Sequence, residues 1–345
     1  MQKLLLSTFF LVLLHQFAVA QDKHFTQFYA APLTLNPALT GAFEGRYRVS
    51  TIYRDQWRKV LDNPFKTFAL AADLRFPSRR RSSSKDAVGL GLVFFNDKTG
   101  VIDFSTTQLA LSLAYHKALG ANDRQYLSLG IQAGLTQRNV NYASLTFHDQ
   151  FDGFTGYTMD TGEDLPTNNF SFNDYNVGLN YMAEVGRTGR IYAGVGLHHF
   201  SQPRISFYEN TAQGDRLYRK ISGQLSANIP LNRSGRVSIL PRLLVATQGP
   251  HLEVNAGTNF RVAMGQYGST AIHFGTWLRP VRNDDGIGLD AVVALLGLEL
   301  NSVVIGLSYD LNLRALQYSQ RQGAFEISVA YLGNYDNEEI ICPKF

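Results

Sequence analysis

Few residues in this chain have the types and spacing that chemistry needs. His198 and His199 are adjacent, and two imidazoles can hold a metal only if their rings converge. They end a run that alternates with a period of two, which sends neighbouring side chains to opposite faces, so a shared metal is not expected. Ser112 and His116 share one face, but four residues of strand place them about 13 Å apart, too far for a nucleophile and its base. The stretch from His148 to Asp164 carries Asp149, Asp152, Asp160, Glu163 and Asp164. Carboxylates in that number could gather oxygens for Ca²⁺, yet their spacing matches no EF-hand loop and a solvated surface loop is the simpler reading. No phosphate loop, dinucleotide fingerprint, H-E-x-x-H, C-x-x-C or G-x-S-x-G motif occurs. Cys342 is the single cysteine, so it cannot pair within the chain, and it reads as a passive thiol. The expectation is a protein without catalysis, cofactor or resident metal.

The elements that carry these residues are strands. Period-two alternation recurs over 46–54, 66–76, 87–96, 106–117, 125–138, 174–187, 190–199, 218–229, 237–247, 251–261, 270–278, 288–297, 301–311 and 325–332. That makes fourteen runs, an even number, with lengths near the 9–11 residues of a tilted transmembrane strand. In 106–117, for example, Leu109, Leu111, Leu113 and Tyr115 oppose Gln108, Ala110, Ser112 and His116. No comparable stretch has a helical period.

Composition separates a membrane barrel from the soluble alternative, a pair of β-sandwiches. Charged residues make up 17% of the 345, well under the roughly 25% of soluble domains. A sandwich strand would show water a face of Lys, Glu and Thr. Here the less apolar face reads mostly as Gly, Ala, Ser, Asn and Gln, with the charge assigned to connections, which suits a barrel interior. Aromatic residues near run ends (Tyr53, Phe76, Phe94, Phe95, Tyr115, Phe260, Trp277 and Tyr331) read as interfacial girdles. With both termini periplasmic, the turns at 188–189, 232–236 and 301 are short, whereas 55–65, 139–173, 200–217, 279–287 and 312–324 read as longer surface loops. Two connections break the rule: 248–250 is very short and 77–86 is long. The net charge of +4 is too small and dispersed for a nucleic-acid partner.

At the N-terminus, Lys3, the apolar run Leu4 to Leu14 and Ala18-Val19-Ala20 have the form of a secretory signal over residues 1–20. Residues 21–45 follow with Phe25, Phe28, Tyr29, Leu33 and Leu35, broken by Pro32, Pro37 and Gly41. An apolar segment without regular structure needs a place to pack, and the lumen is available, so these residues are expected to plug it. The barrel then spans 46–332 and a short tail 333–345. Arg79-Arg80-Arg81 with Lys85 reads as a flexible basic turn.

These residues resemble a known family. His24-Phe25-Thr26-Gln27-Phe28-Tyr29, leading to Pro32 and Asn36-Pro37-Ala38-Leu39-Thr40-Gly41, is similar to the start of the PorP/SprF outer-membrane proteins of the type IX secretion system of Bacteroidota. Tyr53-Arg54-Asp55-Gln56-Trp57 looks like that family's first strand and its exit. Ser308-Tyr309-Asp310, followed by Gly323-Ala324-Phe325-Glu326-Ile327-Ser328, resembles its last hairpin. Cys342-Pro343-Lys344-Phe345 matches its common terminus. The resemblance implies an all-β transmembrane antiparallel barrel of the fatty-acid-transporter type in the outer membrane of a Gram-negative bacterium. It also implies a role in protein export, gliding motility and surface adhesins. The partners it implies are outer-membrane lipid, C-terminal sorting domains of secreted cargo and periplasmic components of the secretion machinery. A passive channel for hydrophobic small molecules is the alternative on the same barrel. The motif residues stay open to plain structural readings: Asn36-Pro37 as a turn, Tyr53 and Trp57 as interfacial anchors, and Phe325–Leu332, rather than the Phe345 end, as the closing strand.

Overall fold

The computed structural model describes residues 24–334, apart from 59–60, 62, 78–85, 101, 121–123, 187–188, 209–214, 233, 265–269, 284–285 and 314–322. The signal sequence, the Arg79–Arg81 turn with Lys85, and Cys342, Pro343 and Phe345 lie outside the described residues.

Fourteen antiparallel strands close into a barrel. They are β1 (Tyr47–Gln56), β2 (Phe65–Pro77), β3 (Ala87–Thr99), β4 (Phe104–Leu119), β5 (Gln125–Asn139), β6 (Asn169–Val185) and β7 (Gly189–His198). The circuit continues through β8 (Lys220–Pro230), β9 (Val237–Gln248), β10 (His251–Met264), β11 (Thr270–Asn283), β12 (Gly286–Leu300), β13 (Val303–Asn312) and β14 (Gly323–Gly333). Every strand pairs with its sequence neighbours, and β14 closes on β1 with Tyr53 opposite Ile327 and Arg54 opposite Glu326. All fourteen expected runs are strands, and β14 is the closing strand. Closure removes the unpaired edges that lipid would not tolerate.

The outward faces are apolar. Leu111 on β4 is 62% exposed and Leu129 on β5 is 56% exposed, amid Leu109, Leu113, Ile131 and Leu135. A continuous band of this kind is a surface for lipid rather than water. No helix among the described residues is long and apolar enough to cross a membrane.

Three expectations need correction. Most of the connection expected at 279–287 is strand, because β11 runs on to Asn283 and β12 starts at Gly286, the pairing partner of Asn283. Trp277 does not belong to a girdle: it is 1% exposed and points into the lumen, while Phe274 and Leu278 face outward. Charge is not confined to connections. Arg48, Arg54, Asp73, Arg75, Asp174, Arg279, Asp310 and Glu326 sit within strands and are buried inside the barrel. The physical reason for the last two is what fills the lumen.

Candidate functional site

Residues 24–46 lie inside the barrel and carry only three short helical turns, Phe28–Ala30, Pro32–Leu35 and Pro37–Leu39. Pro32 and Pro37 start the second and third turns, where their missing N–H is harmless. Most backbone groups of so irregular a segment cannot pair with each other, so the wall must supply partners.

At the start of the segment those partners are charged. The Thr26 and Gln27 backbone N–H groups donate to the two Glu326 carboxylate oxygens at 2.7 and 2.9 Å. The Thr26 hydroxyl donates to Asp310 at 2.8 Å and accepts from Arg54 and Arg279 at 3.0 and 2.9 Å. Arg54 pairs with Glu326 and with Asp310, and Arg279 bridges Asp310 (2.7 Å) and Asp290 (3.0 Å). The Gln27 side-chain amide donates to Ser308 and its oxygen accepts from Ser328. One residue of plug is thus held by charges from β1, β11, β13 and β14. Regular alternation along β11 points Trp277 and Arg279 inward, and just beyond Arg279 the β11–β12 register shifts by one residue, at Asp290, the other partner of Arg279.

The middle of the segment is held differently. The Asn36 amide donates to the backbone oxygens of Leu179 and Val195, at 3.0 and 3.3 Å, while its own oxygen caps Ala38 N. The plug backbone lies so close to the wall that only glycine fits beneath it. A Cβ on Gly130 would sit 2.2 Å from Ala38 N, and one on Gly178 1.9 Å from the Asn36 oxygen. Gly41, at φ +73°, turns the chain against Gly89. Its N–H donates to Asp73 (2.7 Å), which also takes a two-pronged bond from Arg48, and its oxygen accepts from Arg75. His116 bonds Thr40 O at 2.8 Å and Ser128 at 2.7 Å, and Ser112 bonds the Thr40 hydroxyl. Both members of the supposed Ser–His pair therefore serve the plug.

An aromatic block completes the seal. Phe28 and Tyr29 pack on Trp277, with ring centroids 5.5 and 5.9 Å away, beside Leu39, Leu244, Val293 and Leu295. The Trp277 indole N–H donates to Asn259. Cavities remain on both sides. The one toward the long loops, about 210 Å³, is lined by Phe25, Phe95, Phe172, His198, His199 and Glu253. The one toward the short turns, about 460 Å³, is lined by Tyr29, Phe43, Tyr192, Arg242, Arg261 and Asn334.

The structure gathers Phe25, Gln27, Phe28, Asn36, Pro37 and Gly41 in the plug and brings Arg54 and Asp310 against it. Gln56 supports the clasp, its side-chain oxygen accepting from Arg54 at 3.3 Å, whereas Tyr53, Trp57 and Tyr309 do not join them. Tyr53 sits beside Asp55 near the loop-side rim, and Trp57, at φ +63°, packs on Phe65 where β1 ends. Tyr309 faces outward. Arg48, Asp73 and Arg279 carry no functional expectation from the sequence, and His116 and Glu326 enter it in other connections, as half of a Ser–His pair and as part of the last-hairpin motif. Their signal was available, since an ionisable side chain within a strand needs a partner in the interior.

The histidine pair also departs from expectation. β7 ends at His198, and His199 takes a left-handed φ of +54°, which cancels the alternation. Both rings turn inward, 6.4 Å apart, with His198 on Leu35 O and His199 on Asp174. No cluster of three metal-ligating side chains occurs among the described residues. In the acidic loop, which reads from the sequence as a solvated surface loop, the Asp149 and Asp152 carboxylates accept hydrogen bonds from the loop itself. The Thr155 hydroxyl and the Phe154 and Gly156 N–H groups hold the Asp152 carboxyl well below the usual carboxylate range. The Gly162 N–H does the same, less strongly, for Asp149.

Comparison with solved structures gives the same architecture. The Pseudomonas putida toluene transporter TodX aligns over 88% of this chain and 93% of its own, with a TM-score of 0.50 at 12% identity. The monoaromatic hydrocarbon channel CymD aligns over 89% and 94%, with a TM-score of 0.50 at 11% identity. At such identities the likeness speaks for the fold alone. No curated protein matches the sequence. The model of the family described as type IX secretion system membrane protein PorP/SprF matches residues 18–331. Nearly the whole chain is covered, so this outer-membrane barrel belongs to the PorP/SprF family of type IX secretion system membrane proteins.

Proposed function

We propose that the protein is a non-enzymatic outer-membrane component of type IX secretion that binds or anchors secreted cargo at its surface loops and couples to periplasmic machinery through its turns and termini. The observation that carries this reading is the plug. A lumen crossed by a segment hydrogen-bonded to eleven of the fourteen strands and touching a twelfth through Arg242 over the Tyr29 ring, with a charged lock at one end, suits a docking platform better than an open conduit. The surface presents a candidate receptor in the loop after β5. Phe154 is 96% exposed there, with Phe151, Tyr157 and Met159 also exposed, on a turn ordered by Asp152. Exposed aromatics on an ordered loop are typical of protein-binding sites. Deleting the gene should trap particular cargo proteins in the periplasm, and replacing residues 149–164 by a short linker should do so without loss of the barrel. A secretome identical to wild type in both strains would refute the proposal.

The second reading is a passive channel for hydrophobic small molecules. The cavity lined by Phe25, Phe28, Phe95 and Leu244 favours it, as does the shared fold with TodX and CymD. It requires uptake that survives removal of the secretion system, together with tolerance of the loop replacement.

A further inference from the structure

The turn-side cavity contains one charge that nothing around it balances. Its other cations are paired: Arg48 with Asp73, and Arg261 with Glu299, which also takes His273. Glu44, the remaining carboxylate in the wall, pairs with Arg190 at 2.8 Å. Arg242 is the exception. Its guanidinium lies 3.8 Å from the centre of the Tyr29 ring, and the groups acting on it are the Tyr29 and Tyr192 phenols. Its Nη1 has no hydrogen-bond partner, and Asn228 Oδ1 in the same wall has none either. A cation held away from bulk water without a counter-charge is costly, and such a group persists where a ligand compensates it.

We propose that this cavity is a binding site for a carboxylate joined to a flat apolar group, entering from the periplasmic end. Arg242 receives the carboxylate, because a guanidinium matches its two oxygens with parallel donors. Tyr29, Phe43, Tyr192, Leu240 and Leu295 enclose the apolar body. The volume, about 460 Å³, lies within the range of small-molecule sites. A single anion is specified, since the other ion pairs in the wall are satisfied. The ligand that this chemistry selects is a free aromatic carboxylate, which reaches the cavity past Asn334 on its rim.

The test uses the full-length barrel carrying Trp57→Phe, which leaves Trp277, stacked on Tyr29, as the sole fluorescent indole. N-acetylphenylalanine is titrated against its uncharged amide, with heat-shifted gel mobility confirming a folded barrel in every variant. The acid should bind saturably and the amide about 10- to 100-fold more weakly, as expected when one charge-assisted bond is lost. Arg242→Gln should weaken the acid by the same factor, and Arg242→Lys by less. Equal affinity for acid and amide, unchanged affinity in Arg242→Gln, or no saturable binding of the acid would overturn the proposal.

Discussion

The two halves of the plug are fastened by opposite means. Around Thr26 and Gln27 the wall offers Glu326, Asp310, Arg54 and Arg279, so the grip is charge on charge. Around Asn36 to Ala38 the grip is neutral, as carbonyls meet amides and glycines let two backbones touch, and charge returns only past them, where Arg48, Asp73 and Arg75 take Leu39 and Gly41. A charged clasp depends on each partner being present, since removing one member strands another in the interior. A glycine bed depends instead on empty space. The first half should therefore yield to deletion of a functional group, and the second to addition of one.

The largest effect is expected from Gly130→Val. Its side chain would overlap the Pro37–Ala38 backbone, which cannot swing aside as a flexible side chain could. Protease added to the intact barrel should then cut within residues 24–46, which the native protein should resist. Glu326→Ala comes next, because it strips both plug amides and Arg54 of an acceptor. A loss of about 3–5 kcal/mol is expected for breaking a buried ion pair, read as a fall in the thermal transition of the purified barrel. If Glu326→Ala proved harmless while Gly130→Val opened the plug, the clasp would be dispensable and the bed would carry the segment alone. Asn36→Ala should cost about 1–3 kcal/mol, leaving two strand carbonyls short of a donor.

The smallest effect lies outside the lumen, in the loop that fastens only to itself. The Asp152 carboxyl is held below its ordinary range, so its contribution to loop order is complete above about pH 4, the unfolded value, and fades as the pH falls through the lower folded one. Loop proteolysis should be the same at pH 7 and pH 5. Asp152→Ala should raise it at both pH values without moving the barrel's thermal transition.

The strands were legible because lipid imposes a rule on every second residue. Leu109, Leu111 and Leu113 announce an outward face whatever lies inside. The plug was legible as an apolar segment in need of a cover, and its motif residues through family likeness. Its partners were not. Glu326 stands in a run whose faces alternate acceptably without it, Arg279 falls in what reads as a surface loop, and nothing local to either says that it meets Thr26, hundreds of residues away in sequence. Trp277 looked like a membrane anchor because a large aromatic near a strand end fits a girdle as well as a lumen. The two histidines were misread through one backbone angle, the φ of His199, which period-two reasoning takes as extended.

The clasp also orders events in time. Thr26 and Gln27 belong to the first residues of the barrel to be made, whereas Glu326, which receives their amides, arrives on the last strand. Arg54 on β1 faces Glu326 across the seam itself. Until β14 docks, the plug has no lock and the cylinder has a gap, and one pairing ends both conditions. Sealing the wall and barring the passage are thus a single step of biogenesis, so a half-built copy cannot be both closed and unbarred.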